Sequence, residues 1–381
     1  MKRITLPARA DWQDKARTVG FGFHTMYGEP YWTDDAAYVF TLEQIERDIE
    51  EPTRSLHQMC LDTLGRLIDS DEKLVRLQIP EAMIDLVRAS WRAGEPTLYG
   101  RFDLAYDGAG PAKLLEYNAD TPTSIFEAAF FQYNWMLDQI ACGNLSDTVD
   151  QYNSLQEDLI AAFAQFAPDR LHHFSCVTES PEDTGTVAYL MDCARQAGHQ
   201  VKLVDISQIG ADPAGRFTDQ DDITIDRCFK LYPWEHLLRE PFAARLVPGV
   251  FIEPAWKAIL SNKGFLPFLW EDHRDHPNLL EAYFDPGRIA GAHVVKPFFS
   301  REGNNITMIA ADGTTSEITG GDYAEGPMIY QQTARVLRHG TRHAVLGSWI
   351  VGDKPSGLGV REDEGLITKD MSRFVPHVID G

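Results

Sequence analysis

One stretch of the chain decides the fold, because it predicts two paired strands joined by a short turn. It reads Thr97-Leu-Tyr-Gly-Arg101-Phe-Asp103-Leu-Ala-Tyr-Asp107-Gly-Ala-Gly110-Pro-Ala-Lys-Leu-Leu-Glu116-Tyr-Asn118-Ala-Asp120-Thr-Pro-Thr-Ser124. Two runs with strand character flank the turn residues 107–111. Side chains two positions apart lie on one face of a strand. Arg101 and Asp103 therefore share one face, as do Glu116 and Asn118.

The turn also predicts the register of the two strands. A turn centred between residues 109 and 110 places Asp103 opposite Glu116 and Arg101 opposite Asn118. Two carboxylates directly across a strand pair repel each other. A hard cation between them removes the repulsion, and Asp, Glu and Asn oxygens are ligands that Mg²⁺ accepts. The alternative is an ordinary hairpin whose charges face water, because a slip of one residue destroys the pairing.

Composition restricts the class of protein. The chain has 381 residues, of which 44% are hydrophobic and 24% charged, and this composition is typical of a globular protein with one large core or two to three smaller ones. The net charge of −22 argues against nucleic acid or an anionic membrane as a partner. Five scattered cysteines without a C-x-x-C pair, and no signal-peptide or membrane-spanning pattern, predict a cytoplasmic protein.

Periodicity along the chain predicts three parts. Residues 1–168 form a helical N-terminal part that contains the hairpin at 97–124. Residues 169–250 form a small α/β subdomain, because strand, helix and strand patterns follow one another there. Residues 251–381 form the third part, which is β-rich from about residue 285, with strands at 289–297, 305–310, 328–333 and 348–351. Further helices are predicted at 42–79, 82–91, 124–142, 151–166, 184–197 and 234–246.

A second informative segment reads His293-Val-Val-Lys296-Pro-Phe-Phe-Ser300-Arg-Glu-Gly303-Asn304-Asn-Ile306. A lysine ends an apolar strand and a loop containing glycine follows it. Backbone N–H groups of such a loop can approach phosphate oxygens, and the lysine adds fixed positive charge. The segment is not a Walker A loop, because no Gly-Lys-Ser/Thr leads into a helix. A hairpin with a solvated lysine is the open alternative.

Three other positions are candidates for ligand binding. Lys263 stands just before a glycine turn, and the extended segment 329–332 can contact an adenine edge through backbone groups. In residues 346–363, a strand and a glycine-rich turn precede Arg361 on a return segment. A guanidinium group so placed suits a phosphate or carboxylate. A structural ion pair of Arg361 with Glu362 or Asp363 is the alternative.

Together these segments resemble the glutathionylspermidine synthetase family and its stand-alone acid–amine ligase relatives. The motifs that match are Arg101-x-Asp103, Leu-Leu-Glu116-Tyr-Asn118-Ala-Asp120-Thr-Pro-Thr, Lys296-Pro-x-x-Ser-Arg-Glu-Gly-x-Asn, Ile-Tyr-Gln331 and Gly-x-Gly-x-Arg361-Glu. The resemblance covers nearly the whole chain. It implies an α+β architecture: an ATP-grasp fold with the metal-ligand hairpin early in the chain, plus a small α/β subdomain of the pre-ATP-grasp type. Residues 251–381 would be the nucleotide-binding part of the ATP-grasp fold.

The resemblance also implies ATP, Mg²⁺ and an acyl phosphate that is attacked by an amine. The implied metal ligands are Asp103, Glu116 and Asn118. The implied ATP-binding residues are Lys263, Lys296, Ser300, Gly303, Asn304, Gln331 and Gln332. Arg101 and Arg361 would steady the transferring phosphoryl group and the acyl substrate. The residues implied near the acid are Thr121, Thr123 and Ser124.

The substrates and the oligomeric state are not fixed by any motif. The resemblance implies a small acid of peptide-like chemistry and an amine such as a polyamine, with neither nucleic acid nor membrane as a partner. Bifunctional members of the family carry an additional amidase domain, for which this chain has no room. Two alternatives remain open, namely a non-catalytic ATP-binding relative and an ATP-dependent phosphotransferase acting on a small acid.

Overall fold

The computed structural model describes residues 1–167, 170–323 and 325–380. Two clusters of buried hydrophobic side chains form the core within these ranges. None of the helices in these ranges combines the length and the apolar character that crossing a membrane requires. The division of the chain into parts 1–168, 169–250 and 251–381 stays a prediction. Its first boundary falls on Pro168 and Asp169, outside the described residues.

The helices lie mainly in the first three quarters of the chain. In the N-terminal part they are α1 Trp12–Thr18, α2 Leu42–Ile45, α3 Glu51–Leu67, α4 Asp71–Arg76 and α5 Ile84–Arg92. Further along they are α6 Gln132–Ala141, α7 Leu155–Phe163, α8 Pro181–Gln196, α9 Trp234–Leu237, α10 Lys257–Leu260 and α11 Phe265–Asp272. Two π-helical segments are Glu46–Glu50 and Glu127–Phe131, and three 3₁₀ turns are Glu81–Met83, Ile206–Gln208 and Ala243–Arg245.

The strands extend from one end of the chain to the other. The first eight are β1 Lys2–Thr5, β2 Thr25–Met26, β3 Glu29–Pro30, β4 Ala36–Thr41, β5 Tyr99–Ala105, β6 Lys113–Asn118, β7 Leu171–Cys176 and β8 Gln200–Asp205. The next seven are β9 Gly210–Ala211, β10 Phe217–Thr218, β11 Cys228–Lys230, β12 Phe251–Ile252, β13 Ala282–Tyr283, β14 His293–Pro297 and β15 Thr307–Ile309. The last seven are β16 Thr315–Ile318, β17 Met328–Gln332, β18 Leu337–His339, β19 Arg342–Val351, β20 Lys354–Asp363, β21 Arg373–Val375 and β22 His377–Asp380.

The central sheet joins the hairpin at 97–124 to the C-terminal strands. Its order is β21-β20-β19-β5-β6, and β18 pairs with β19. β5 and β6 pair as predicted, with Asp103 opposite Glu116 and Arg101 opposite Asn118. The register then shifts by one residue, because Leu104 pairs with Leu114 and leaves Leu115 as a bulge. The hairpin and the register of its polar pairs are therefore confirmed.

Two further sheets are built from strands that lie between β6 and β18 in the sequence. The five-stranded antiparallel sheet has the order β13-β17-β14-β15-β16 and carries Lys296 and Gln331. The four-stranded sheet β12-β11-β7-β8 is parallel throughout, as the predicted strand–helix–strand unit requires. Its crossover helix α8 begins at Pro181 and is capped by the Ser180 hydroxyl, which accepts a hydrogen bond from the Asp183 N–H. A small sheet pairs β4 with both β1 and β22.

Two sequence expectations are wrong in detail. The predicted glycine-rich turn is a tight turn at residues 352–353, and Gly357 and Gly359 lie inside strand β20. Neighbouring side chains leave little space for a Cβ at either position. A Cβ on Gly357 would lie 2.7 Å from Leu155 Cγ, and a Cβ on Gly359 would lie 3.0 Å from the Phe374 ring. The helix expected at 234–246 is only α9 and one 3₁₀ turn.

Candidate active site

A cavity of about 310 Å³ lies where the central sheet, the five-stranded sheet and the start of α8 meet. Most of the residues singled out from the sequence line it, although they come from separate segments of the chain. These are Arg101, Asp103, Glu116, Asn118, Thr121, Thr123, Lys263, Lys296, Gly303, Gln331, Gln332 and Arg361. Three of the expected residues, Ser124, Ser300 and Asn304, do not line it.

The two arginines bind the same carboxylate from strands β5 and β20, which lie on either side of β19. Arg101 Nε donates to Asp103 Oδ1 at 2.7 Å, and Arg361 Nη2 donates to Asp103 Oδ2 at 2.7 Å. Arg101 also donates to the Thr123 carbonyl at 2.7 Å and the Ser124 hydroxyl at 3.1 Å. The expected alternative, in which Arg361 pairs with Glu362 or Asp363, is wrong, because Arg361 points to Asp103 instead.

The two lysines surround the other carboxylate of the hairpin. Lys263 Nζ lies 2.9 Å from Glu116 Oε2. Burial opposes ionisation of Glu116, but the charges of Lys263 and Lys296 outweigh it and lower the pKa of Glu116 to about 2. Burial lowers the pKa of Lys296 to about 8, although Glu116 favours its charged form. The solvated-lysine alternative is therefore wrong for Lys296, which is 6% exposed.

Lys296 is anchored by the free edge of the hairpin. Its Nζ donates to Gln331 Oε1 at 2.7 Å and to the carbonyl of the bulged Leu115 at 3.1 Å. Gln331 Nε2 donates to the Leu114 carbonyl at 3.1 Å, so this side chain joins the two sheets. The Gln331 side chain is thus engaged with protein groups on both its polar atoms, and the neighbouring Gln332 also lines the cavity.

Asn118 completes an oxygen-rich cluster with the two carboxylates. Its Nδ2 donates to Asp103 Oδ2 and to Glu116 Oε1, each at 3.2 Å. The set contains two carboxylates and one amide, all acceptable ligands for a hard cation. As placed, Asn118 presents its nitrogen rather than its oxygen to the carboxylates. Within the described ranges, no group of three or more His, Cys, Asp or Glu side chains could hold a metal ion.

Thr121 and Thr123 lie at the opposite end of the hairpin segment. Arg301 Nη1 donates to the Thr121 hydroxyl at 2.7 Å, and Arg301 Nη2 donates to Glu235 Oε1 at 2.7 Å. Ser124 has φ +66°, a left-handed conformation that places its hydroxyl against Arg101. The segment after β6 is therefore in contact with Arg301 through Thr121, and with Arg101 through Thr123 and Ser124.

Sequence reasoning missed two sets of residues in the cavity wall. The apolar set is Leu115, Val294, Ile306, Met308, Val336 and Val345. The charged set is Arg301, Asp183 and Glu302. Only Val294 and Met308 of the apolar set lie on β14 and β15, and Val294 is two positions before Lys296, so it shares a strand face with that predicted site residue. Asp183 carries no comparable signal, because it follows the helix-start pattern of α8.

Comparison with known proteins identifies the family of the chain. The family model described as glutathionylspermidine synthase preATP-grasp matches residues 3–380. A Haemophilus influenzae protein named putative acid–amine ligase is 39% identical over 99% of this chain and 99% of its own length. Trypanothione synthetase of Crithidia fasciculata is 29% identical over 84% of this chain and 53% of its own length.

Two further matches are of different kinds, one in sequence and one in fold. The bifunctional glutathionylspermidine synthetase/amidase of Escherichia coli is 26% identical over 97% of this chain but only 63% of its own length. The structure of a glutathione synthetase-like effector from Globodera pallida superposes with a TM-score of 0.50 at 12% identity, over 86% of this chain and 88% of the effector. This second match describes the fold alone.

The fold and the named relatives define an enzyme class, the ATP-dependent ligases that form carbon–nitrogen bonds. The chain belongs to the glutathionylspermidine synthase family, since the family model covers nearly all of it. It spans nearly the full length of the Haemophilus relative, but about half of the trypanothione synthetase.

Proposed function

We propose that this chain joins the carboxyl group of a small acid to an amine through an acyl phosphate, with ATP and Mg²⁺ in an ATP-grasp nucleotide site. The observation that carries the proposal is the convergence of two lysines, two arginines and two hairpin carboxylates on one cavity. These are Lys263, Lys296, Arg101, Arg361, Asp103 and Glu116.

The charge of the cavity supports a polyphosphate ligand. Cationic side chains exceed carboxylates in its wall, although the whole chain carries a net charge of −22. The cations are Arg101, Lys263, Lys296, Arg301 and Arg361, and the carboxylates are Asp103, Glu116, Asp183 and Glu302. ATP with one Mg²⁺ is still anionic, so it would neutralise this excess. The apolar part of the wall suits an adenine ring.

The donor set fits a hard cation, with one adjustment. Asp103 and Glu116 would hold Mg²⁺ through carboxylate oxygens, and Asn118 would join them once its amide oxygen faces the ion. When bound, Mg²⁺ supplies positive charge that offsets the phosphate oxygens during transfer. Lys263 and Arg361, now paired with these carboxylates, would then be free to contact phosphate.

The proposed reaction needs position and charge from the protein rather than a nucleophilic side chain. The acid carboxylate attacks the γ-phosphate of ATP in line, and ADP leaves. Arg361 faces the developing charge, and Lys296 is held in place by Gln331 and the Leu115 carbonyl. The amine nitrogen then displaces phosphate from the acyl carbon. The four buried cysteines are poor candidates for a nucleophile, because burial raises the pKa of each of these thiols.

The cavity residues around Arg301 are the candidates for substrate contacts. Thr121 and Thr123 would contact the acid, beside Arg301. Carboxylates of Asp183 and Glu302 would attract an amine that carries positive charge. Two relatives are named for the synthesis of glutathionylspermidine, so glutathione and spermidine are the first pair to test.

The experiment is a screen of acid and amine pairs for ADP release with MgATP, with hydroxylamine as a trap for acyl phosphate. Ligation predicts ADP release that needs the acid, a hydroxamate with hydroxylamine, and an amide with the right amine. A hydroxamate without any amide under all amines would indicate phosphorylation of the acid alone. ATP binding without ADP release for any acid would indicate a non-catalytic relative.

A further inference from the structure

The carboxyl end of strand β11 in the parallel sheet reaches the cavity. β11 ends at Lys230, and two residues just after it, Leu231 and Pro233, line the cavity wall. Helix α9 then begins at Trp234. Residues 230–235 therefore connect the parallel sheet with the cavity, and they have no part in the reaction proposed above.

The first polar contact of residues 230–235 is a buried ion pair with Asp120. Both side chains of the pair are 0% exposed. Lys230 Nζ donates to Asp120 Oδ1 at 2.7 Å and to the Tyr232 carbonyl at 2.8 Å. The backbone N–H of Trp234 donates to Asp120 Oδ2 at 2.8 Å. Because Asp120 directly precedes the cavity residue Thr121, these bonds fix the backbone on one side of Thr121.

The second polar contact is made by Glu235, which holds Arg301. Glu235 Oε1 accepts hydrogen bonds from Arg301 Nε at 3.1 Å and from Arg301 Nη2 at 2.7 Å. Arg301 Nη1 donates to the Thr121 hydroxyl at 2.7 Å. Burial opposes ionisation of Glu235, but Arg301 outweighs burial and lowers the pKa of Glu235. Contacts with described residues use three of the five N–H groups of Arg301, so two remain for a ligand.

Stability alone does not account for the buried pair of Lys230 and Asp120. Removing two charges from water costs about as much as their attraction returns, and apolar side chains of similar volume often stabilise a fold equally well. Strand β11 also pairs with β7 on one side and with β12 on the other. What the pair supplies is a defined position, because its hydrogen bonds fix direction as well as distance.

We propose that Lys230 and Glu235 are positioning residues for the acid substrate. Lys230 sets the position of Thr121 through Asp120, and neither Lys230 nor Asp120 lines the cavity. Glu235 does not line it either and acts through Arg301. The inference rests on the proposed function, because Thr121 and Arg301 stand beside the acid in that reaction.

The physical reason is the geometry that in-line attack requires. The acid carboxylate must lie close to the γ-phosphate, and a displacement of about 1 Å can lower the rate about 100-fold. Arginine has a long side chain with many rotamers. If Glu235 orders the Arg301 side chain before the acid binds, less entropy is lost on binding.

The test of Glu235 is a double-substitution cycle with Arg301, measured as ADP release with MgATP, spermidine and glutathione. Another acid from the screen replaces glutathione if glutathione gives no ADP release. Glu235→Ala should raise the KM for the acid about 10-fold and leave the Kd for ATP unchanged. In the Arg301→Ala background, Glu235→Ala should change this KM by less than about twofold, because Glu235 acts through Arg301. His236→Ala, an exposed neighbour in α9, is the matched control and should leave the KM unchanged.

Lys230 is tested together with its partner, because removing one charge alone leaves the other buried and unpaired. Lys230→Met/Asp120→Asn removes both charges and nearly keeps the volumes. The KM for the acid should rise about 10-fold, with the Kd for ATP within about twofold of the parent value. Arg9→Met/Asp34→Asn is the control, because this pair is also buried and neither residue lines the cavity. It should leave the KM unchanged, whatever its effect on the free energy of unfolding.

An equal effect of Glu235→Ala in both backgrounds, or an unchanged KM in a folded Lys230→Met/Asp120→Asn variant, would overturn the inference and leave the ligase function standing. ADP release that needs no acid, or none with any acid, would instead remove the proposed function. Crystal structures of the full chain and its variants cover this case without substrate.

In these crystal structures, Glu235→Ala should separate the Arg301 guanidinium from the Thr121 hydroxyl. The variant without the buried pair should displace Thr121 by about 1 Å. The exposed control variant in α9 should keep both residues in place. Unchanged positions of Arg301 and Thr121 in the two test variants would overturn the inference.

Discussion

Arg101 and Arg361 bind the same carboxylate but are held differently. Arg101 donates four hydrogen bonds to Asp103, Thr123 and Ser124, so one of its five N–H groups remains. Its guanidinium also lies 5.6 Å from the centre of the Trp349 ring. Arg361 makes one hydrogen bond to a described residue, and its side chain is 17% exposed. Arg361 therefore has more donors available for a ligand.

Replacing Arg361 tests this difference. Arg361→Ala should lower turnover by about 100-fold, because its charge is needed as phosphate oxygens gain charge in the transition state. The affinity for ATP should change little, because in the proposed site Lys263 and Lys296 would still face the phosphates. Calorimetric titration of ATP beside the rate of ADP release measures both quantities. A variant with normal turnover at saturating ATP but weak ATP binding would assign Arg361 to nucleotide binding instead.

Removing the Glu116 charge tests the metal assignment. Glu116→Gln keeps the shape of the side chain but removes an ionised ligand and leaves Lys263 without its counter-ion. Turnover should fall by at least about 100-fold, while the fold persists, since this residue lies in the cavity wall rather than the core. ADP release is measured against Mg²⁺ concentration, with thermal unfolding as the check on folding. Glu72→Gln, at an exposed position, is the control.

Full activity in a folded Glu116→Gln variant would contradict the assignment of Glu116 as a metal ligand.

The polar residues of the hairpin were predictable as cavity residues because they follow one another on two short strands. The apolar wall and Asp183 were not predictable, because they reach the cavity only through the packing of distant elements. Ser300 and Asn304 show the converse limit, since a loop motif does not reveal which of its side chains face inward.

At the scale of elements, the hairpin β5–β6 is specified by local signals. Turn residues at 107–111 and the alternation of the strands were sufficient to predict which polar residues pair. The bulge at Leu115 was not predictable, because its carbonyl binds a residue of another sheet rather than of the hairpin. The bulged carbonyl and that of Leu114 accept hydrogen bonds from Lys296 and Gln331 of the five-stranded sheet.

The neighbouring strand β19 must leave room for Arg101. Gly347 pairs with Asp103, and a Cβ there would lie 2.8 Å from Arg101 Cδ. Gly347→Ala should therefore displace the Arg101 side chain, lower turnover about 10-fold or more and cost about 1–3 kcal/mol of unfolding free energy. ADP release and chemical denaturation are the measurements. Gly22→Ala is the control, because a Cβ at Gly22 meets no atom within 4 Å. Equal activity of both variants would contradict the crowding at Gly347.

At the scale of the whole molecule, the fold class was easier to predict from the sequence than the pairing of distant strands. The parallel sheet around α8 and the β-rich C-terminal region follow from periodicity within short windows. The pairing of β5 with β19, and of β4 with β22, joins segments far apart in the chain. No local pattern encodes such pairing. The resemblance of ordered motifs was what tied these segments to one site.

Buried carboxyl groups give the molecule a pH-dependent stability. The folded chain raises the pKa of Glu127 to about 7, so between about pH 5 and 7 it retains a proton that the unfolded chain has released. Stability from this group is thus complete below the unfolded pKa and is lost as pH rises through the folded pKa. The slope is about 1.4 kcal/mol per pH unit per proton. Glu127→Gln should flatten it in chemical denaturation series, and an unchanged slope would contradict the shift.

The central claim is that ATP activates a carboxyl group by phosphorylation. The most direct test uses an acid labelled with ¹⁸O in its carboxyl group, incubated with MgATP, the amine and the full chain. An acyl phosphate transfers one carboxyl oxygen to phosphate when the amine displaces it, so mass spectrometry should find one ¹⁸O in each inorganic phosphate. Unlabelled phosphate, formed at the same rate as ADP, would show that water attacks ATP and would contradict the claim.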